Sequence, residues 1–166
     1  MPENPYAQDL AGREPMAALA EAASTIHAVC TPFDAGAWRR SCAAGKWSAR
    51  EILVHLAQIE MVFGVRVRFA LTSRAYVVQP FDQDPFIQVE GPVVDGPTAL
   101  ASFLGLRAMN LQLFRSLSPA QLETTFEHPE RGEMTVGGLI AYLAGHDWRH
   151  VGQLRQDDTS VFTPCS

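Results

Sequence analysis

The chain has 166 residues, of which 47% are hydrophobic and 19% charged, and a formal charge of −5. That composition excludes a disordered protein and predicts one folded domain with a real core. An acidic balance without a basic cluster argues against nucleic acid or an anionic membrane as a partner and leaves a small-molecule substrate. The three cysteines, Cys30, Cys42 and Cys165, are an odd number without CxxC spacing, so neither a disulfide framework nor a zinc knuckle follows. The first residues, MPENPYAQDLAGREP, hold no apolar run behind a positive start, and no uninterrupted apolar run approaches the length of a bilayer span. A cytoplasmic protein is the expectation.

Residues 1–13 carry Pro2, Asn4, Pro5 and Gly12 and read as an irregular N-terminal arm. A first helix is predicted from Glu14 to Val29, with Pro15 in its first turn and an apolar stripe of Met16, Leu19, Ala23 and Ile26. His27 lies beside that stripe, alone in its helix, and reads as a packed or half-exposed histidine. The connection 33–47 ends in KWS. Ser48 and Glu51 form a capping box, with Trp47 placed to staple the entry of a second helix, Ala49 to Thr72. The seam of this helix is Ile52, His55 or Leu56, Ile59, Val62 or Phe63, Arg66 and Phe69.

Between Ala75 and Gly96 three prolines and two glycines forbid a continuous helix. A loop of this length in a compact domain is functional or a crossover, and extended residues at roughly 3.3 Å each let it run back along a neighbouring helix. Helices two and three would then lie parallel. Asp82 and Asp84 are placed near the mouth of the bundle, and the plainer reading is solvated loop acids. Helix three is predicted from Pro97 to Leu117, with Arg107 and Asn110 near its apolar stripe. Then come a one-turn helix, SPAQLE, and a short hairpin over TFEHPERGEMT that contains His128, a weak ligand candidate. Thr135 caps a fourth helix that runs to Gln156, and residues 157–166 read as a tail. The helical region 14–156 is therefore a four-helix bundle of the all-α class.

In the last helix, TVGGLIAYLAGHDWRHVGQLRQ, Leu139, Leu143, His146, His150 and Gln153 follow one another at helical spacing and make an inward seam. Two imidazoles four residues apart reach one ion, and imidazole is the commonest ligand of zinc-like metals. A histidine alone on an apolar face, as His55 is in helix two, is ordinarily a hydrogen-bonded core residue. Three inward imidazoles on two helices change that reading, because an unliganded polar cluster in a bundle core carries a desolvation cost. Three protein ligands with open positions are the pattern of a catalytic metal site. Gln153 could hydrogen-bond a water, a substrate or the second nitrogen of a ligand, and Asp147 flanks the site and could orient a histidine. No GxSxG element occurs, and the HxxxH pattern lacks the glutamate that serves as base in HExxH enzymes.

KWSAREILVHLAQIE followed by GHDWRHVGQLRQ resembles the DinB (DinB/YfiT-like) superfamily, and QPFDQDPF and HPERGEMT resemble one bacterial branch of it. The likeness runs from about Pro5 to Gln156 and rests on the order and spacing of the pieces. It implies a four-helix bundle with a long crossover between helices two and three. It also implies a divalent metal, nickel or zinc, held by His55, His146 and His150. Family members of known chemistry are mostly transferases using bacillithiol or mycothiol, and the resemblance therefore implies a thiol-dependent S-transferase. The alternatives are a metal-dependent hydrolase, for which Glu60 and Asp82 are the nameable general bases, and a non-enzymatic bundle binding metal or a small molecule. A homodimer is expected from apolar residues on the exposed faces of helices one and three and from the habit of relatives.

Overall fold

The computed structural model describes residues 3–155. A one-turn helix, α1 (Ala7–Leu10), precedes the first long helix, α2 (Pro15–Cys30); then come α3 (Ala49–Thr72), α4 (Gln83–Glu90) and α5 (Gly96–Arg115). One-turn α6 (Pro119–Leu122), strands β1 (Thr125–His128) and β2 (Gly132–Thr135) and the long α7 (Val136–Arg155) complete the described chain. The expected end at Gln156, the tail 157–166 and Cys165 lie outside the described residues.

Each long helix starts where a side chain satisfies its free N–H groups. Glu14 accepts from the amides of Met16 and Ala17. Ser48 and Glu51 form the expected capping box, Asp95 accepts from Thr98, and Thr135 Oγ1 accepts from Gly138 at 3.0 Å. The crossover contains a helix that the prolines were expected to deny. Asp82 caps α4 through the amide of Asp84, and Pro85 falls in the first turn, where its missing N–H costs nothing. The arm is likewise more ordered than its composition suggests. It holds α1, and Asn4 Nδ2 donates to the carbonyl of Ala141 on α7 at 3.2 Å.

The helices α2, α3, α5 and α7 form a bundle in which chain-consecutive α2 and α3 sit on a diagonal, whereas α3 packs against α5 and α2 against α7. Partners along α3 and α5 rise together: Glu60 meets Arg107, and Arg68 further on meets Asn110. The two helices are therefore parallel, as the long crossover requires. The core divides into two apolar clusters. One joins Leu19, Phe63, Val67, Phe114, Leu139 and Leu143; the other joins Ile26, Leu53, Leu56, Phe103, Val151 and Leu154.

A polar band crosses the bundle interior, made of the buried side chains Glu60, Arg107, Asn110 and Asp147. Arg107 Nη2 donates to Glu60 Oε1 at 2.6 Å and to Asp147 Oδ2 at 2.5 Å. Its Nη1 donates to the carbonyl of Leu19 at 3.0 Å, and Asn110 Nδ2 donates to Glu60 Oε2 at 3.0 Å. The large apolar side chains left exposed lie on α3 (Met61, Val65, Phe69), on α5 (Met109) and in the crossover (Val77, Val89, Val93). The exposed apolar residues of α2 are the small Ala17 and Ala28. No helix among the described residues is long and apolar enough to cross a membrane.

Removing one partner of a buried ion network strands the others without water. Arg107→Met, which keeps most of the volume, is therefore expected to lower the unfolding free energy by about 3–5 kcal/mol in urea titrations.

Candidate metal centre

His55 projects from the first half of α3, and His146 and His150 from successive turns of antiparallel α7. All three are buried. Their rings converge through the same atom: His146 Nε2 lies 3.0 Å from His55 Nε2 and 3.2 Å from His150 Nε2. Around an ion bonded at about 2.0–2.1 Å, neighbouring ligand nitrogens stand roughly 3.0–3.4 Å apart, between right-angle and tetrahedral geometry. The observed spacing matches that range.

The other ring nitrogens set the tautomers. His150 Nδ1 lies 2.7 Å from Gln153 Oε1; with the amide oxygen accepting, the proton sits on Nδ1 and the Nε2 lone pair is free. His146 Nδ1 faces Asp147 Oδ1 at 3.7 Å. Neither atom has a hydrogen-bond partner and both are buried, and a few tenths of an ångström would close the contact that holds the Nε2 lone pair inward. Burial and then the Arg107 guanidinium act in opposite senses on Asp147, and the guanidinium wins, so its carboxyl lies below the usual range. Burial, reinforced by its histidine neighbours, pushes the His55 pKa down to about 2. Burial and His146 push that of His150 down to about 3. These rings are neutral at pH 7, the form in which imidazole ligates a metal. Convergent lone pairs repel unless a cation lies between them, so the donor set fits a divalent ion.

Aromatic side chains fix the rings. Trp47 packs on His55 with centroids 4.8 Å apart and stacks at 6.4 Å on His150, so the expected helix staple is also a wall of the site. Tyr6, from the arm, meets His146 edge-on at 5.4 Å. Gly145 makes this possible: a Cβ there would lie 2.4 Å from the Tyr6 carbonyl oxygen. Reasoning from sequence missed Tyr6, and the one signal for it was a glycine in a helix interior directly before a ligand histidine. The site opens on two sides. One cavity of about 320 Å³ is lined by Lys46, Trp47, Asp84, His146, His150 and Gln153. A second, of about 260 Å³, is lined by Tyr6, Phe63, Arg66, Tyr142 and again His146.

Of the other candidates, Asp84 reaches the mouth of the first cavity, while Asp82 caps α4. Both Glu60 oxygens are engaged by Arg107 and Asn110. His27 is exposed, and buried His128 lines the second cavity outside the three-nitrogen cluster.

A bundle whose second and fourth long helices bring three imidazole nitrogens together defines a helical protein with a three-histidine cluster suited to a metal ion. The chain belongs to the DinB superfamily, whose model matches residues 18–154. It is 29% identical over 111 residues to a protein of Oceanobacillus iheyensis described as a "Putative metal-dependent hydrolase". It is 28% identical over 115 residues to a protein of Bacillus mycoides with the same description. These matches cover 67% and 68% of the chain and 64% and 66% of the relatives, so the chain spans just under two thirds of their length. The fold is similar to that of YfiT from Bacillus subtilis, described as a probable metal-dependent hydrolase with an unusual four-helix bundle topology. Its TM-score is 0.76 at 20% identity, with 85% of this chain and 83% of that one covered. A mycothiol-dependent maleylpyruvate isomerase shares the fold at TM-score 0.68 and 12% identity, over 84% of this chain and 59% of that one.

Two outcomes follow from the site. Since the folded pKa values of His55 and His150 lie below the ordinary 6.5 of the unfolded chain, the unfolded state binds more protons between about pH 6.5 and pH 3. In chelator, the melting temperature should therefore be level above pH 7 and fall as pH drops from 6.5 towards 4.5. Gln153→Ala frees the His150 ring to turn and should weaken divalent-metal affinity by about 10–100-fold in competition titrations.

Proposed function

We propose that this chain is a metal-dependent enzyme that holds one divalent ion, zinc or nickel, on His55, His146 and His150. Its most favoured activity is transfer of a low-molecular-weight thiol, of the bacillithiol or mycothiol kind, to an electrophilic small molecule. The observation that carries the reading is the position of His146: it lines two separate cavities that meet at the three-nitrogen cluster. A reaction with two substrates needs two approaches to one centre, and this site has them.

A divalent ion at such a site supplies Lewis acidity and lowers the pKa of a bound thiol or water. The protein's own groups do the rest. Gln153 and Asp147 orient His150 and His146, and Trp47 holds His55 in place. Lys46 and Gln153 offer donors to the polar parts of a ligand in the first cavity. Phe63 and Tyr142 give the second cavity apolar walls. Burial keeps the His55 and His150 imidazoles neutral, so neither has a proton to lose before an ion is held.

Hydrolysis of an amide or ester is the second reading, favoured by the descriptions of the relatives and by Asp84, an acid at the mouth of the first cavity. Neither Glu60 nor Asp82 is free to act as its base. Glu60 is tied to Arg107 and Asn110, and Asp82 is engaged as a helix cap.

Protein purified without an affinity tag is expected to carry close to one divalent ion per chain, lost in His55→Ala and in His150→Ala. The zinc- and nickel-loaded protein is then assayed with monochlorobimane plus bacillithiol, mycothiol or cysteine, and separately with p-nitrophenyl esters and anilides. Metal-dependent conjugation that disappears in both variants supports the transferase. Metal-dependent ester or anilide cleavage without conjugation transfers the assignment to hydrolysis. Absence of metal in the wild type after incubation with both ions would overturn both.

A further inference from the structure

The second cavity holds a cation that no carboxylate neutralises. Arg66, on α3, is only 5% exposed. Its one protein hydrogen bond runs from Nη2 to the carbonyl of Gln79 at 2.9 Å, and among the described residues it belongs to no ion pair. Arg107, more deeply buried, faces two carboxylates instead. None of the other Arg66 donors is among the sealed, unpartnered polar atoms of the described residues, so they meet the solvent of the cavity, where an anion can take the place of water. The guanidinium carbon lies 5.3 Å from the Phe63 ring centre and 5.6 Å from that of Phe81. A second guanidinium, Arg131, stands over Tyr142 at 4.9 Å, at the exposed rim of the same cavity. The one acid lining the cavity is Glu130, which is exposed and solvent-screened. Neighbouring His128 is disfavoured as a cation by burial and by both arginines. The lining therefore carries one net positive charge between aromatic walls, the complement of a monoanion on an apolar body.

We propose that this cavity is the site for the electrophilic or scissile substrate, and that it selects a monocarboxylate with an aromatic or similarly flat apolar body. The carboxylate is held by Arg66, with Arg131 at the rim, and the body lies between Phe63, Phe81 and Tyr142, which directs the reacting end towards His146. A planar carboxylate matches the fork of one guanidinium. In the metal-free protein a phosphate dianion would leave one charge unmatched, and a bound divalent ion would add its own charge to the cavity. The inference rests on the enzyme reading above for its meaning as a substrate site, but the anion preference belongs to the cavity itself and is measurable without metal.

The test uses the full chain stripped of metal by chelator, titrated calorimetrically with benzoate and with its neutral counterpart benzamide. Benzoate is expected to bind saturably, at least about tenfold more tightly than benzamide, and to shift the Arg66 Nε–H resonance. Arg66→Gln should erase the preference and Arg66→Lys should restore part of it. Arg131→Gln should weaken benzoate several-fold. His55→Ala, which loses the metal site but does not line this cavity, should keep the preference, so failure of the metal reading leaves this result unmoved. Equal affinity for the two probes, no saturable benzoate binding, or a folded Arg66→Gln that keeps the preference would overturn the proposal. Should Arg66→Gln not fold, the exposed Arg131→Gln decides: unchanged benzoate affinity overturns it.

Discussion

One guanidinium touches all four long helices. Arg107 belongs to α5 and bonds Leu19 of α2, Glu60 of α3 and Asp147 of α7. A buried network of this kind gives little net stability over a well-packed apolar substitute, because desolvation offsets most of the Coulomb gain. What it imposes is register. Slide any helix by one turn and a carboxylate or a guanidinium is left unpaired in the core, at a cost that no apolar pair would exact. Apolar surfaces alone tolerate many nearly equivalent packings. The site needs one packing, because nitrogens on α3 and α7 must meet within a few tenths of an ångström.

Asp147 links that register to the chemistry. One of its oxygens is held by Arg107, and the other faces the Nδ1 of His146, its neighbour in sequence. The same carboxylate thus fixes the position of α7 and faces the outer ring nitrogen of one of the three histidines at 3.7 Å. Gln153 does the corresponding task for His150 one turn later. The ligand rings are accordingly set by groups that are themselves set by the bundle.

What could be read from the sequence was what repeats along a helix or announces its end. The seam Leu139, Leu143, His146, His150 and Gln153 is a periodic signal, and Ser48 with Glu51 is a local one. The length of the connection permitted parallel α3 and α5, and the family resemblance implied the crossover that makes them so. Contacts between segments distant in the chain were not legible. Tyr6 reaches His146 from an arm whose composition suggests no structure, and only the helix-breaking cost of Gly145 hints that something must lie close there. Helix α4 was hidden because proline was weighed as a breaker, whereas Pro85 occupies a first turn that Asp82 caps. Arg66 appeared in the seam of its helix, but no pattern in the sequence tells a paired core arginine from an unpaired one. Arg66 and Arg107 look alike on paper, and the difference between them is whether a carboxylate from another helix comes to meet them.

That difference separates structure from function inside this bundle. A site that must bind an anion cannot also supply one, so the group that receives it has to stay unsatisfied in the free protein. Its cost must be offset by the remaining contacts of the fold. Arg66 meets this condition with one carbonyl bond and two aromatic rings near its guanidinium, in the lining of the cavity. The three histidines present the opposite chemistry, convergent Nε2 atoms that suit a cation, with His150 oriented through its Nδ1 by Gln153. Arg66 and one of the three histidines, His146, line the same cavity. The remaining buried charges, those of Glu60, Arg107 and Asp147, are paired with one another, and they lie where the helices have to be held.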